Sequence, residues 1–84
     1  MGLPTEPVTL TAGQLEELNR KLSTMRHDIN NHLSLIVAAV ELIHHKPQLA
    51  ERMMATLSEQ PAKITASVSK FSTEFESALG ITRP

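Results

Sequence analysis

Residues 43–49 read IHHKPQL. His44, His45 and Lys46 place donor or cationic side chains where the negative end of a helix dipole would favour them, and Pro47 cannot continue the helical hydrogen-bond ladder. The stretch therefore reads as a helix end followed by a turn. Upstream of it, Leu15, Leu18, Leu22, Met25, Ile29, Leu33, Ile36, Val40 and Ile43 recur in steps of three and four, which returns them to one helical face. Downstream, Leu49, Met53, Leu57, Pro61, Ile64, Val68, Phe71, Phe75 and Leu79 do the same. Two arms of similar length, about 11–46 and 48–79, thus meet at a turn and form a helical hairpin.

The ends of the arms carry their own signals. Thr11 and Gln14 form a T-x-x-Q capping box, with Leu10 placed to staple onto Leu15. Gly80 stands where a left-handed glycine closes a helix, leaving 81–84 as a tail. Pro4 and Pro7 make residues 1–10 an extended leader or linker. Pro61 falls inside the second arm and predicts a kink there. In the first arm two steps of four fall together at Met25–Ile29–Leu33, a stutter in the expected seam.

Size and composition bound the function. A chain of 84 residues is one small domain, and below roughly 70–80 residues a lone core seldom suffices without disulfides, metal or association. A hairpin with one apolar stripe per arm buries both stripes when two copies pack about a two-fold axis. Leu35, Ala39 and Leu42 widen the first stripe in keeping with this. The expected fold is therefore all-α, a helical hairpin that dimerises into an antiparallel four-helix bundle.

Eight Lys and Arg against nine Asp and Glu leave no basic stripe for nucleic acid. The chain has no cysteine, hence no disulfide framework and no thiolate site. The start of the chain has no signal-peptide pattern, and the longest strictly apolar run, LIVAAV at 35–40, is too short to span a bilayer. The expectation is a cytoplasmic protein without membrane insertion. A metal reading rests on the Glu41-x-x-His44 pair, but Glu41 points away from the seam and no matching inward carboxylates stand on the second arm, so no metal site is expected.

The polar run MRHDINNHL, residues 25–33, sits inside the first arm. At about 100° per residue, His27 lies roughly 160° from the seam, and Asn31 shares its outward face one turn later. Asp28 flanks them, and His32 is nearer the core edge. A solvated polar face would account for this placement. Asn, Asp and His are mediocre helix formers, however, where an indifferent surface usually carries Glu, Lys, Gln or Ala.

Arg26 to Ile36, R-H-D-I-N-N-H-L-S-L-I, resembles the H-box of the dimerisation and histidine-phosphotransfer (DHp, HisKA-like) domain of sensor histidine kinases. The R-H-D-x-x-N-H-L form is similar to the Spo-zero-B-like phosphotransferase branch. Some eleven residues carry the motif, and the architectural resemblance covers about 11–79. The chain departs from the commonest H-box in having His32 where that family often has proline.

The resemblance implies a histidine phosphoacceptor domain of two-component signalling, exchanging a phosphoryl group between His27 and the aspartate of a response-regulator receiver. His27 would be the nucleophile, Asp28 would hold its imidazole N–H, and Asn31 would position the phosphoryl group or a hydrolytic water. The receiver would dock around Asn30, Asn31, Ser34 and Ala38 with Ser67 and Lys70 of the second arm, and would bring the Mg²⁺, so that this chain binds no cofactor of its own. With no Gly-rich nucleotide loop, the chain cannot phosphorylate itself. It would be a phosphotransferase of histidine-kinase type, supplied by a receiver or by an ATP-binding kinase domain in cis or in trans. The alternative is a non-catalytic dimeric helical scaffold or adaptor, including a degenerate DHp.

Overall fold

The computed structural model describes residues 2–81. Of the tail expected at 81–84, only Ile81 lies among them. Helix α1 runs Ala12–His45, a 3-10 turn covers Pro47–Leu49, and helix α2 runs Ala50–Leu79. The two helices pack side by side as an antiparallel hairpin, as the turn at Pro47 predicts. No strand element is assigned among the described residues.

Local chemistry accounts for each boundary. The Gln14 N–H donates to Thr11 Oγ1 at 3.1 Å, and the Thr11 N–H donates to Gln14 Oε1 at 2.8 Å. Two otherwise orphaned donors are thereby satisfied reciprocally. Leu10 lines a surface groove with Thr11, Gln14 and Leu18, while Leu15 stays exposed. At the turn the Lys46 N–H donates to the Leu42 carbonyl at 2.8 Å, and the Leu49 N–H to the Lys46 carbonyl at 2.9 Å. Gly80 ends α2 at φ 69°, in the left-handed region, and the Gly80 and Ile81 N–H groups both reach the Glu76 carbonyl. Pro61 is accommodated inside an unbroken α2 on its exposed side.

The seam between the helices differs from the one the apolar pattern predicts. On α1 the covered positions are Leu18, Leu22, Met25, Ile29, His32, Ile36, Ala39 and Ile43, with Lys21 and Asp28 half-buried beside them. The eight seam residues alternate in steps of four and three without interruption, so the stutter disappears. His32 and Ala39 occupy positions expected for Leu33 and Val40, which are instead 46% and 52% exposed. On α2 the covered series is Met53, Leu57, Gln60, Ile64, Ser67, Phe71 and Glu74, with the expected Leu79 half-buried near the end of the helix, while Pro61, Val68 and Phe75 are exposed. The expected apolar series breaks the alternation at Met25–Ile29–Leu33 and at Leu49–Met53–Leu57–Pro61, whereas this one keeps it along both arms, as a packed helix pair requires.

Antiparallel neighbours are related by a two-fold axis perpendicular to their common plane, so equivalent seam-flanking positions share a side. The residues just after alternate seam positions are Asn19, Arg26, Leu33 and Val40 on α1 and Met54, Pro61, Val68 and Phe75 on α2. Apart from Asn19 and Arg26, they form an apolar flank on one side of the hairpin. The residues just before the other seam positions, Lys21, Asp28, Leu35 and Leu42 on α1 with Lys63 and Lys70 on α2, form the opposite and more polar flank.

The hairpin is one helix layer thick. Its principal extents are 58 × 28 × 12 Å and its radius of gyration is 18.1 Å, against about 12 Å for a compact chain of this length. Ala39 and Gln60 are the two residues buried outright among those described. The accessible surface is 6362 Å², where a compact monomer of 9.2 kDa exposes about 4,900 Å².

Candidate functional site

His27 lies midway along α1 on the face turned away from α2, and both it and Asn31 are exposed. An uninterrupted helix from Ala12 to His45 places them one turn apart on this face. Asn31 Nδ2 stands 3.5 Å from His27 Nε2. At that separation the Asn31 amide can donate to Nε2 when that nitrogen carries the ring's lone pair.

Asp28 projects toward the polar flank. No hydrogen bond joins it to His27 among the described residues, so the structure pairs His27 with Asn31 and not with its neighbour in sequence. Asp28 instead lines a groove of about 160 Å³ with Arg20, Lys21, Thr24, Met25, Ser67, Lys70, Phe71 and Glu74. The sequence-predicted docking residues divide between two surfaces. Ser67 and Lys70 line the Asp28 groove, whereas Asn30, Ser34 and Ala38 line a shallow depression on the outer side of α1 with Leu33, Val37 and Glu41.

The charges around the groove are unevenly engaged. Arg20 donates through Nε to Glu17 Oε2 at 3.1 Å, and its Nη2 also reaches the Glu17 carboxylate. That hydrogen bond holds the Glu17 carboxyl below its ordinary range and the Arg20 guanidinium above its own. Lys63 pairs with Glu59 at 3.6 Å. Lys21 and Lys70 form no ion pair among the described residues. Two ammonium groups thus remain available beside Asp28, on a chain whose net charge is −1.

The structure also assigns a role to His32. Its Nδ1 is 2.8 Å from Oε1 of Gln60, and Gln60 Nε2 donates to the Thr56 carbonyl at 3.0 Å. The Thr56 carbonyl accepts only, which fixes the amide orientation and leaves Gln60 Oε1 as acceptor. His32 Nδ1 must then carry the proton. Gln60 is 2% exposed, so this is a satisfied polar pair inside the seam. A glutamine beside Pro61 gives no apolar signal, and reading for apolar residues passes over it. The strict three-four spacing of 53, 57, 60, 64, 67 and 71 is the signal that locates it.

No group of three or more His, Cys, Asp or Glu side chains is arranged to hold a metal ion among the described residues. No described helix is long and apolar enough to cross a membrane. No protein-family model matches this chain, and no curated protein or solved structure matches it either.

Proposed function

We propose that this chain is a histidine phosphoacceptor hairpin of two-component signalling, exchanging a phosphoryl group between His27 and the aspartate of a response-regulator receiver. The observation that carries the reading is the pairing of an exposed, mid-helix His27 with Asn31, on the face turned away from the neighbouring helix. A neutral imidazole is a competent nucleophile near neutral pH, and exposure lets it meet a phosphoryl donor held by another protein.

In the forward direction the His27 Nε2 lone pair attacks phosphorus of the receiver's aspartyl phosphate. The N–P bond forms, the P–O bond to the aspartyl carboxylate breaks, and the carboxylate leaves with the bonding pair. Asn31, aimed at the attacking nitrogen, is placed to donate to a phosphoryl oxygen once the new bond forms. Lys21 and Lys70 supply positive charge beside Asp28 for a partner whose acceptor site is rich in carboxylates. Receiver-bound Mg²⁺ would neutralise charge on the transferring group, and positioning plus electrostatics is most of what such a transfer requires. Asp28 can orient the Nδ1–H of His27 only after a change of side-chain rotamer.

The functional unit in this reading is a cytoplasmic homodimer. The accessible surface exceeds that of a compact monomer by about 1,400 Å², which is more than the roughly 800 Å² per partner of a standard interface. The apolar flank of Leu33, Val40, Met54, Val68 and Phe75 is the face for the second copy, giving a four-helix bundle with His27 outside it. Incubation with a phosphorylated receiver is expected to place acid-labile, base-stable label on the wild-type chain and none on His27→Gln. A folded dimer that never takes label would leave the scaffold reading in its place.

A further inference from the structure

The chain contains two competing seams. Leu22, Ile29, Ile36, Ile43, Leu57, Ile64 and Phe71 belong to both. One alternative completes them with Leu33, Val40, Pro61, Val68 and Phe75 and is apolar throughout. The other, adopted here, completes them with His32, Ala39, Gln60, Ser67 and Glu74. Hydrophobic burial alone favours the first. What distinguishes the second is the hydrogen bond from His32 Nδ1 to Gln60 Oε1, anchored by the Gln60 amide on the Thr56 carbonyl.

Exchanging Leu33 for His32 in the seam turns α1 by about 50° at this height. That turn would draw Leu33 and Val40 inward, away from a second copy, and expose the buried Ala39. It would also swing His27 and Asn31, which stand within five residues of His32 on the same rigid helix. We propose that His32 and Gln60 are a positioning pair, selecting the seam that keeps the apolar flank outward and points His27 directly away from α2. The seam-selecting part stands on the geometry alone; the effect on His27 chemistry rests on the proposed phosphoacceptor function. Buried polar pairs are best attested in this register-selecting role.

The absence of native cysteine gives a direct readout. The thiol of an Ala39→Cys variant should react slowly with a maleimide in the otherwise native chain, because Ala39 is 2% exposed. Adding Gln60→Ala should speed the reaction at least about tenfold, corresponding to a loss of protection of about 1.4 kcal/mol, while circular dichroism remains helical. Gln60→Asn, which keeps the amide but shortens its reach, should give a smaller acceleration. The pair His32→Leu with Gln60→Leu restores an apolar fit in the adopted seam and should restore protection. Unchanged thiol protection in helical Gln60→Ala and Gln60→Asn chains overturns the proposal. Phosphoryl transfer to His27 should slow in Gln60→Ala and recover in the double leucine variant. An unchanged rate alongside an exposed thiol overturns the positioning of His27 specifically. If the wild-type chain takes no label, the phosphoacceptor reading fails and the thiol measurement alone decides the seam.

Discussion

Leu33→Asp tests the proposed association of two hairpins and which face it would use. Leu33 is 46% exposed in the hairpin, so the substitution leaves the monomer's seam intact and acts on association. Covering the exposed half of a leucine contributes about 1 kcal/mol. Placing an unpaired carboxylate in the same apolar contact costs about 2 kcal/mol more even when water partly relieves it. In a two-fold interface each residue occurs twice. The dissociation constant of the proposed dimer should therefore rise by about 10,000-fold, since each tenfold corresponds to about 1.4 kcal/mol. Leu35→Asp is the matched control, because Leu35 is similarly exposed, at 48%, on the opposite flank. Sedimentation equilibrium over a range of concentrations measures both. The reasoning is refuted if Leu35→Asp dissociates the dimer and Leu33→Asp does not, or if the wild-type chain is monomeric at about 1 mM, the weak end of the affinity scale.

Other outcomes follow from particular side chains. Thr11→Ala removes the capping box and should cost about 1 kcal/mol, lowering Tm by about 4–8 °C for a domain of this size, as a thermal melt will show. Pro61→Ala restores a backbone donor to the Leu57 carbonyl and a better helix former at an exposed site; Tm should rise, with up to about 3 kcal/mol of helix propensity at stake. Gly80→Ala forces a side chain into the left-handed region at φ 69° and should cost about 1 kcal/mol, seen as faster amide exchange at Gly80 and Ile81. Glu17 is held below its ordinary value by Arg20, so its contribution is present above the unfolded carboxylate value and is lost as pH falls through the lower folded one. Both groups are fully exposed, and Glu17→Gln should therefore leave Tm at neutral pH unchanged within the reproducibility of a melt.

The hairpin was legible because its signals are local. Pro47 after His44-His45-Lys46, the Thr11–Gln14 box and Gly80 each determine a boundary through one or two residues, and the helices begin and end within a few residues of where those signals point. The outward direction of His27 was legible for the same reason, since 100° per residue determines it once α1 is a helix. The seam was not, because apolar character and strict periodicity disagree at 32–33, 39–40, 60–61, 67–68 and 74–75. Reading by apolarity selects Leu33 and Pro61, and the pair of hydrogen bonds through Gln60 makes the other choice. That bond joins residues 28 apart in the chain, a separation no local pattern reveals. The Asp28 groove is a product of helix pairing, which brings Lys21 of α1 together with Ser67 and Lys70 of α2, while Asn30 and Ser34 line a different surface.

The central claim is that His27 accepts and returns a phosphoryl group. The most direct test is mass-spectrometric localisation of phosphate on the intact chain after brief incubation with a phosphorylated receiver and Mg²⁺, under alkaline conditions that preserve phosphohistidine. The account predicts one phosphoryl group per chain, on His27, lost in His27→Gln and weakened in Asn31→Ala. Phosphate on His32, His44 or His45, or a helical His27→Gln chain labelled as fast as the wild type, would contradict it.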